Sequence, residues 1–346
     1  MADEALPFVS VIMPIRNETG FIERTIRSIL NNDYPPDKME ILVVDGMSDD
    51  GTREIVEKLC KADNRVKLLN NPARIQAAAM NIGIKTCRGE IFIRVDGHAE
   101  IPPAFIKKSV ECLYEHSDAW IAGGYWKTVS QGYVGKVIAA ATQTPLGVGN
   151  SRGRLGNFDG WVGGVPYGAH HKWIVEKIGY FDEEFVRSED DEFNMRVILG
   201  GGKMWMSNSI WSTYYARRSL RKLWRQYFQD GFWRIKVLQK HRRPGAVRRV
   251  VPLLFVLSLI ILILAGFFWY GFWWLLLIEL TLYALALIYG AVDIGRKVGW
   301  KYSCLAPIVF AIIHFAYGLG SLWGIIRLVV LKGRGMRKPE DLPLSR

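Results

Sequence analysis

Cysteine is scarce in this chain, and none of Cys60, Cys87, Cys112 and Cys304 stands close to another. That spacing excludes the paired cysteines of zinc clusters and redox dithiols, so each reads as a small buried apolar residue. No Gly-x-Gly-x-x-Gly follows the first apolar run, which disfavours a nicotinamide enzyme. The opening residues, MADEALPFV, have neither a basic start nor an apolar core, so no export signal is read there and the N-terminal region is expected in the cytosol. Acidic residues are missing from one stretch. Residues 217–249 hold 12 Lys and Arg against Asp230 alone, whereas 1–216 hold 24 against 28 and 250–346 hold 9 against 4. Most of the excess positive charge therefore sits in one short segment.

That segment runs into Val250–Trp269, an uncharged run of about the 20 residues needed to cross a bilayer. Phe272–Val292 carries only Glu279, and Cys304–Val330 only His314 and Arg327. Membrane spans are expected over about 250–269, 272–292 and 304–330, within a transmembrane region 250–331 followed by a basic tail, 332–346. Between Ser219 and His241, Leu, Trp, Tyr and Phe alternate with Arg and Lys as in an amphipathic helix at the lipid interface, so 217–249 is a membrane-interface region. Membrane lipid, rather than nucleic acid, is the partner implied. A Lys/Arg-rich flank marks the cytoplasmic side, which places a multi-pass chain in the cytoplasmic (inner) membrane with its N-terminal domain in the cytosol. Three full spans would put Lys332, Arg334, Arg337 and Lys338 outside, against that tendency, so re-entry of the third segment is the alternative. The Gly320 to Gly324 spacing suits helix packing and a homo-oligomer formed through the membrane helices.

Residues 1–216 read as one α/β domain. Apolar runs at Val9–Met13, Ile41–Val44, Val66–Leu69 and Ile91–Val95 alternate with helical patterns at about Gly20–Asn31, Thr52–Lys61 and Ala73–Thr86, the order of a parallel sheet covered by helices. Ala119–Val165 is rich in glycine and aromatics and predicts loops and a lid. Helical patterns return at His171–Ile178 and Glu189–Leu199, with a strand predicted at Lys203–Met206.

Ligands of such sheets sit beyond the carboxyl ends of the strands, where three acidic constellations fall. Asp45 closes EILVVDGMSDDGT, Asp96 and His98 close EIFIRVDGHAEIPP, and Glu189, Asp190, Asp191 and Glu192 open a helix in RSEDDEFNMRV. A strand-end carboxylate reaches a base or ribose, and an Asp and a His two residues apart can both ligate one divalent cation. Acids at a helix start also complement the helix dipole, which is the structural reading of Asp190. Arg74, Asn81 and Arg94 either approach a diphosphate or pair on the surface; His170 and His171 read as structural.

VSVIMPIRNE, VVDGMSDDGT, RVDGHAEIPP and EDDEFNMR, in that order and spacing, resemble the motifs of glycosyltransferase family 2. Within that family VPYGAHHKW adds a likeness to ExoA-like succinoglycan (exopolysaccharide) glucosyltransferases. The resemblance covers about Val9–Trp233. It implies a GT-A fold, Rossmann-like with a mainly parallel sheet, and an inverting transfer of a hexose to a polyprenyl-diphosphate-linked saccharide, with glucose from UDP-glucose the guess from likeness. It places Pro14, Arg16, Glu18 and Asp45 at the nucleoside, Asp96 at the nucleotide sugar and, with His98, at a divalent cation (Mg2+ or Mn2+), and Asp190 as general base aided by Glu189 and Asp191. His98 stands where the family usually has a second acid. In processive relatives Gln-x-x-Arg-Trp occurs where this chain has Gln229, Asp230, Gly231, Phe232 and Trp233, with Phe232 in the place of arginine. Single addition is therefore expected, with Trp233 on the acceptor side; a processive polysaccharide synthase and a catalytically silent membrane scaffold are the alternatives.

Overall fold

A computed structural model describes residues 6–243 and 247–331; the tail at 332–346 lies outside the described residues. In chain order the elements are β1 (Val9–Ile15), α1 (Ile22–Leu30), β2 (Met39–Asp45), α2 (Thr52–Ala62), β3 (Val66–Asn70), α3 (Gln76–Thr86), β4 (Ile91–Arg94) and β5 (Ala99–Glu100). There follow α4 (Phe105–Glu115), β6 (Ala119–Val129), α5 (Gly132–Ala141), α6 (Pro145–Val148), α7 (Arg152–Leu155), β7 (Gly160–Val162) and β8 (Ala169–His171). The last are α8 (Trp173–Ile178), α9 (Glu189–Leu199), β9 (Lys203–Tyr215), α10 (Leu220–His241), α11 (Val251–Gly266), α12 (Gly271–Val298) and α13 (Ala306–Gly324). The described residues fall into two compact units, one within Met1–Lys127 and Arg152–Tyr214, the other within Thr128–Ser151 and Tyr215–Arg346.

The first unit is an α/β layer. Its sheet runs β3-β2-β1-β4-β8-β6-β9-β5, with β7 paired to β9. The pairs β1–β2, β2–β3 and β1–β4 are parallel, and β4–β8, β6–β8, β5–β9 and β7–β9 are antiparallel. β1 and β2 are buried along their whole length, which explains their unbroken apolar sequences. Pro14 falls beyond the last β1–β4 pair, Ile12↔Arg94, where a missing N–H breaks no bond of that ladder. The glycines read as loop formers at 123 and 124 lie instead inside β6. A Cβ at Gly124 would overlap the Ile210 carbonyl and one at Gly123 would crowd Gly168, so close strand approach requires them. Two cores form, one holding Val11, Met13, Ile41 and Phe105, the other Ile12, Leu42, Met80 and Phe193.

In the second unit, residues 128–151, which the sequence pattern assigned to the first domain, pack against the C-terminal helices. His314 Nε2–H donates to the Leu146 carbonyl at 2.8 Å, and its Nδ1 accepts from the Tyr283 hydroxyl at 3.0 Å. A Cβ at Gly231 of α10 would overlap the Tyr317 carbonyl, and one at Gly320 the Phe228 carbonyl; Ser321 Oγ donates to the Gly231 carbonyl at 3.2 Å. The Gly320/Gly324 stripe is thus taken up inside the chain by α10. α10 keeps Arg221, Lys222, Trp224 and Lys240 exposed. Two helices, Gly271–Val298 and Trp300–Val330, are long and apolar enough to cross a membrane, while Val251–Gly266 has 16 residues. At ~1.5 Å per residue that helix is shorter than the ~30 Å hydrocarbon layer.

Candidate active site

The site begins at the carboxyl ends of β1, β2 and β4. Beyond β1, Asn17 adopts the left-handed region at φ 56° and locks onto the turn after β2: its Nδ2–H donates to Asp49 at 2.9 Å, and the Asp49 amide donates back at 3.1 Å. The Glu18 amide donates to Thr52 Oγ1 at 2.7 Å, so the β1–α1 and β2–α2 turns form one rim. Asp45 closes β2 fully buried. Ser48 donates to it through its amide at 3.2 Å and its hydroxyl at 2.5 Å, and Arg53 reaches it at 3.4 Å while also bonding Asn70 at 2.7 Å. Pro14 is buried at the end of β1, and Arg16 is half-buried beside Gly46.

β4 ends in a second aspartate in a different setting. Arg94 grips Asp96 with two nitrogens, Nε at 2.8 Å and Nη2 at 3.3 Å, and extends Nη1 to Glu189 at 3.1 Å. Gln76 donates to the same Asp96 oxygen at 3.2 Å. His98 Nδ1 lies 3.1 Å from Glu18. Arg94 therefore joins the turn after β4 to the start of α9, which are 95 residues apart in sequence. Asp190, exposed at that helix start, is near enough to influence both Arg94 and Glu189; its Oδ1 accepts from the Asp191 amide at 2.8 Å.

Protonation follows from this packing. Burial opposes ionisation of Asp96, but Arg94 and then His98 outweigh it and hold the carboxyl below the ordinary aspartate range. Burial likewise opposes the Arg94 charge, and Asp96 and Glu189 more than compensate, raising its proton affinity further. Glu189, 3% exposed, moves the other way: burial pushes it up to about 7, with Arg94 pulling down and Asp190 pushing up. The Tyr167 hydroxyl, beside Asp96, is kept protonated by burial and by that carboxylate, and it helps in turn to hold the Asp96 carboxyl down.

The structure thus brings together Asp96, His98, Glu18, Glu189 and Asp190, and sets Asp45 with Pro14 and Arg16 at the neighbouring strand ends. Trp233 is 2% exposed in α10, its ring edge-on to Phe232. Of the undecided residues, Arg94 enters the site. Asn81 instead caps the Phe181 segment, accepting from its amide and donating to its carbonyl, both at 2.9 Å, while Arg74 is exposed. Sequence reasoning missed Gln76 and Tyr167. Arg94 did carry a signal: two residues before Asp96, it shares a side of the extended chain with it.

Residues 10–153 match the family Glycosyl transferase family 2. The chain is 33% identical over 249 residues to the succinoglycan biosynthesis protein ExoA of Rhizobium meliloti (strain 1021), spanning 70% of this chain and 74% of that protein. It is 28% identical over 329 residues, 92% of this chain and 98% of the other, to the dolichyl N-acetyl-alpha-D-glucosaminyl phosphate 3-beta-D-2,3-diacetamido-2,3-dideoxy-beta-D-glucuronosyltransferase of Methanococcus voltae. The mannosyltransferase PcManGT from Pyrobaculum calidifontis, solved with GDP-Man and Mn2+, shares the fold at TM-score 0.59 and 17% identity, over 93% of this chain and 88% of that one. With strand-end acids and the α9 motif set on such a sheet, the chain belongs to glycosyltransferase family 2.

Proposed function

We propose that this chain transfers a single hexose, glucose from UDP-glucose, to a hydroxyl of a polyprenyl-diphosphate-linked saccharide, inverting the anomeric configuration. The Arg94 bridge carries this reading, because it makes one site of a donor-side carboxylate, Asp96, and an acceptor-side pair, Glu189 and Asp190. Displacement at an anomeric carbon needs a proton acceptor on one face and charge stabilisation at the leaving group on the other. Asp190 takes the proton of the attacking hydroxyl. Glu189, poised near neutrality behind it, adjusts the local charge, and Asp191 orients the helix start. Asp45, Pro14, Arg16 and Glu18 hold the nucleoside. Trp233 stays the acceptor-side candidate carried over from the resemblance.

Asp96 and His98 would hold a divalent cation, Mg2+ or Mn2+, which when bound neutralises the diphosphate. The donor set fits in kind, an Asp oxygen and a His ring nitrogen two residues apart, with the remaining ligands of such a cation coming from substrate phosphates and water. A carboxylate has about four lone-pair positions, so Asp96 can keep Arg94 and accept a cation too. A lipid-linked acceptor is supported by the dolichyl-linked substrate in the name of the M. voltae relative, and a polysaccharide role by the succinoglycan relative. The two long apolar helices support attachment to a membrane, and the basic flank at 217–249 supports the reading of a cytoplasmic membrane with the catalytic domain in the cytosol.

The test is radiolabelled transfer from UDP-glucose to a polyprenyl-diphosphate saccharide, with and without Mg2+ or Mn2+. Asp96→Ala and Asp190→Asn should each lower turnover about 10²-fold or more. Unchanged turnover in both variants removes the mechanism, and high-molecular-weight product from the nucleotide sugar alone replaces it with a polymerase.

A further inference from the structure

His98 stands where relatives usually carry a second acid, and the structure puts a carboxylate directly behind its ring. Glu18 Oε1 lies 3.1 Å from His98 Nδ1, although the two residues are 80 apart in sequence. Glu18 is 6% exposed and His98 12%. The contact is held from both sides. The Glu18 amide is tied to Thr52 Oγ1 of α2, and the Gly97 carbonyl accepts from Thr25 Oγ1 of α1 at 2.9 Å, so the turns after β1 and β4 are each fastened to a helix. A Cβ at Gly97 would stand 2.9 Å from Glu18 Cγ, so the glycine between Asp96 and His98 leaves the room that the Glu18 side chain occupies. Phe21 meets the His98 ring edge-on at 6.4 Å, and Tyr214 stands 6.2 Å from it.

An ionised carboxylate offers only acceptors, so the ring nitrogen facing Glu18 carries the hydrogen and Nε2 becomes the basic nitrogen. That tautomer is the one a histidine needs to ligate a metal through Nε2, and a carboxylate behind the ring makes the ligating nitrogen more basic. Charge leads to the same place. Asp96 shares its charge with Arg94, and a neutral imidazole adds none, so Asp96 and His98 alone present little net negative charge to a dication. Glu18 restores the missing unit, one hydrogen bond further back than an acid at position 98 would hold it.

We propose that Glu18 is a positioning residue for the divalent-cation site: through His98 Nδ1 it sets which ring nitrogen is offered to the metal and returns the charge that a second acid would bring. This role is additional to lining the nucleoside pocket, and it rests on the cation site of the functional reading above. A nitrogen donor favours a transition ion such as Mn2+ over Mg2+, which holds to oxygen, so Glu18 helps to set metal preference.

The test is Mn2+ binding to the full-length chain in detergent without nucleotide. Affinity is read from the EPR signal of free Mn2+, and the ligand from nitrogen modulation in the pulsed spectrum of the bound ion. Wild type should show the modulation of an imidazole, and His98→Ala should lose it. Glu18→Ala should weaken Mn2+ about ten- to a hundredfold, and Glu18→Gln, which keeps size and an acceptor but no charge, about three- to tenfold. Glu18→Gln carries the test if Glu18→Ala does not fold. Adding Glu18→Ala to His98→Ala should weaken Mn2+ by less than about a further twofold, because the effect runs through the ring. Glu100→Gln, two residues past His98 and paired with Arg24, should change affinity by less than about twofold. Wild-type affinity in a folded Glu18 variant overturns the proposal, as does a wild-type spectrum without nitrogen modulation, or a Glu18→Ala loss undiminished in His98→Ala. Metal-dependent sugar transfer by a chain whose Glu18 variants bind Mn2+ normally removes this role and leaves the functional reading standing. Mn2+ held through His98 and Glu18 in a chain that transfers no sugar does the reverse.

Discussion

β2 and β4 flank β1 in the sheet, and the chain just beyond each carries an aspartate, yet the two carboxylates live under different rules. At the β2 end Asp45 is closed off by the amide and hydroxyl of Ser48, three residues away, with Arg53 at the fringe. At the β4 end Asp96 is held by an arginine that is itself shared with Glu189. The first is a local turn; the second is a charge relay between distant parts of the chain, in which any change at one member is felt by the others. A local aspartate suits recognition of a ligand, whereas a shared one suits a site whose charge must change during reaction.

The largest effect that separates the two ends should come from their arginines. Arg94→Gln leaves Asp96 and Glu189 in a desolvated place without a counter-charge. Turnover should fall about a hundredfold and stability by about 3 kcal/mol. Arg53→Gln, removing a cation with a 34% exposed side chain, should cost less than about 1 kcal/mol in the same melt. Equal losses in the two variants erase the distinction.

A titration sharpens it next. A carboxyl raised to about 7 from the ordinary 4.5 stays protonated in the folded chain while the unfolded chain ionises, so Glu189 removes stability as pH rises through that window and no more above it. The melting temperature of wild type minus that of Glu189→Gln should therefore fall between about pH 4.5 and 7 and then level. Asp96, shifted down, works in the opposite sense: its contribution is present above the ordinary aspartate range and lost as pH falls. A difference curve flat with pH would place Glu189 outside the relay.

Smaller effects are expected at β2. Asp45→Asn should raise KM for the nucleotide sugar about tenfold with kcat within about threefold, the signature of lost binding without lost chemistry. A kcat loss as large as that of Arg94→Gln would move Asp45 into the reacting machinery. Ser48→Ala, which leaves Asp45 only its amide and Arg53, should lower stability by about 1 kcal/mol, read as a shift of the urea midpoint.

What could be read from sequence follows the same divide between local and distant. Val9–Met13 and Ile41–Val44 announce β1 and β2 because a central parallel strand is apolar on both faces, and the structure extends them to Val9–Ile15 and Met39–Asp45. Of the antiparallel half, only the start of β9 is announced, at Lys203–Met206. Ala119–Val165 reads as loop through its glycines, yet it holds the 11-residue strand β6, where glycine is required by a neighbouring backbone that no local pattern reveals. In the site, Asp45, Asp96 and the acids at 189–191 stand out because they follow strands or open a helix. Gln76 and Tyr167 lie in segments whose approach to Asp96 depends on how distant strands and helices pack, so spacing alone does not find them.

The helix lengths carry one more consequence, about parity. A 16-residue helix cannot bridge the hydrocarbon layer, whereas the stretches at 271–298 and 300–330 can. If only those two cross, the polypeptide makes an even number of passages and comes back to the leaflet from which it left. The orientation conflict posed by three crossings then disappears without any re-entrant segment.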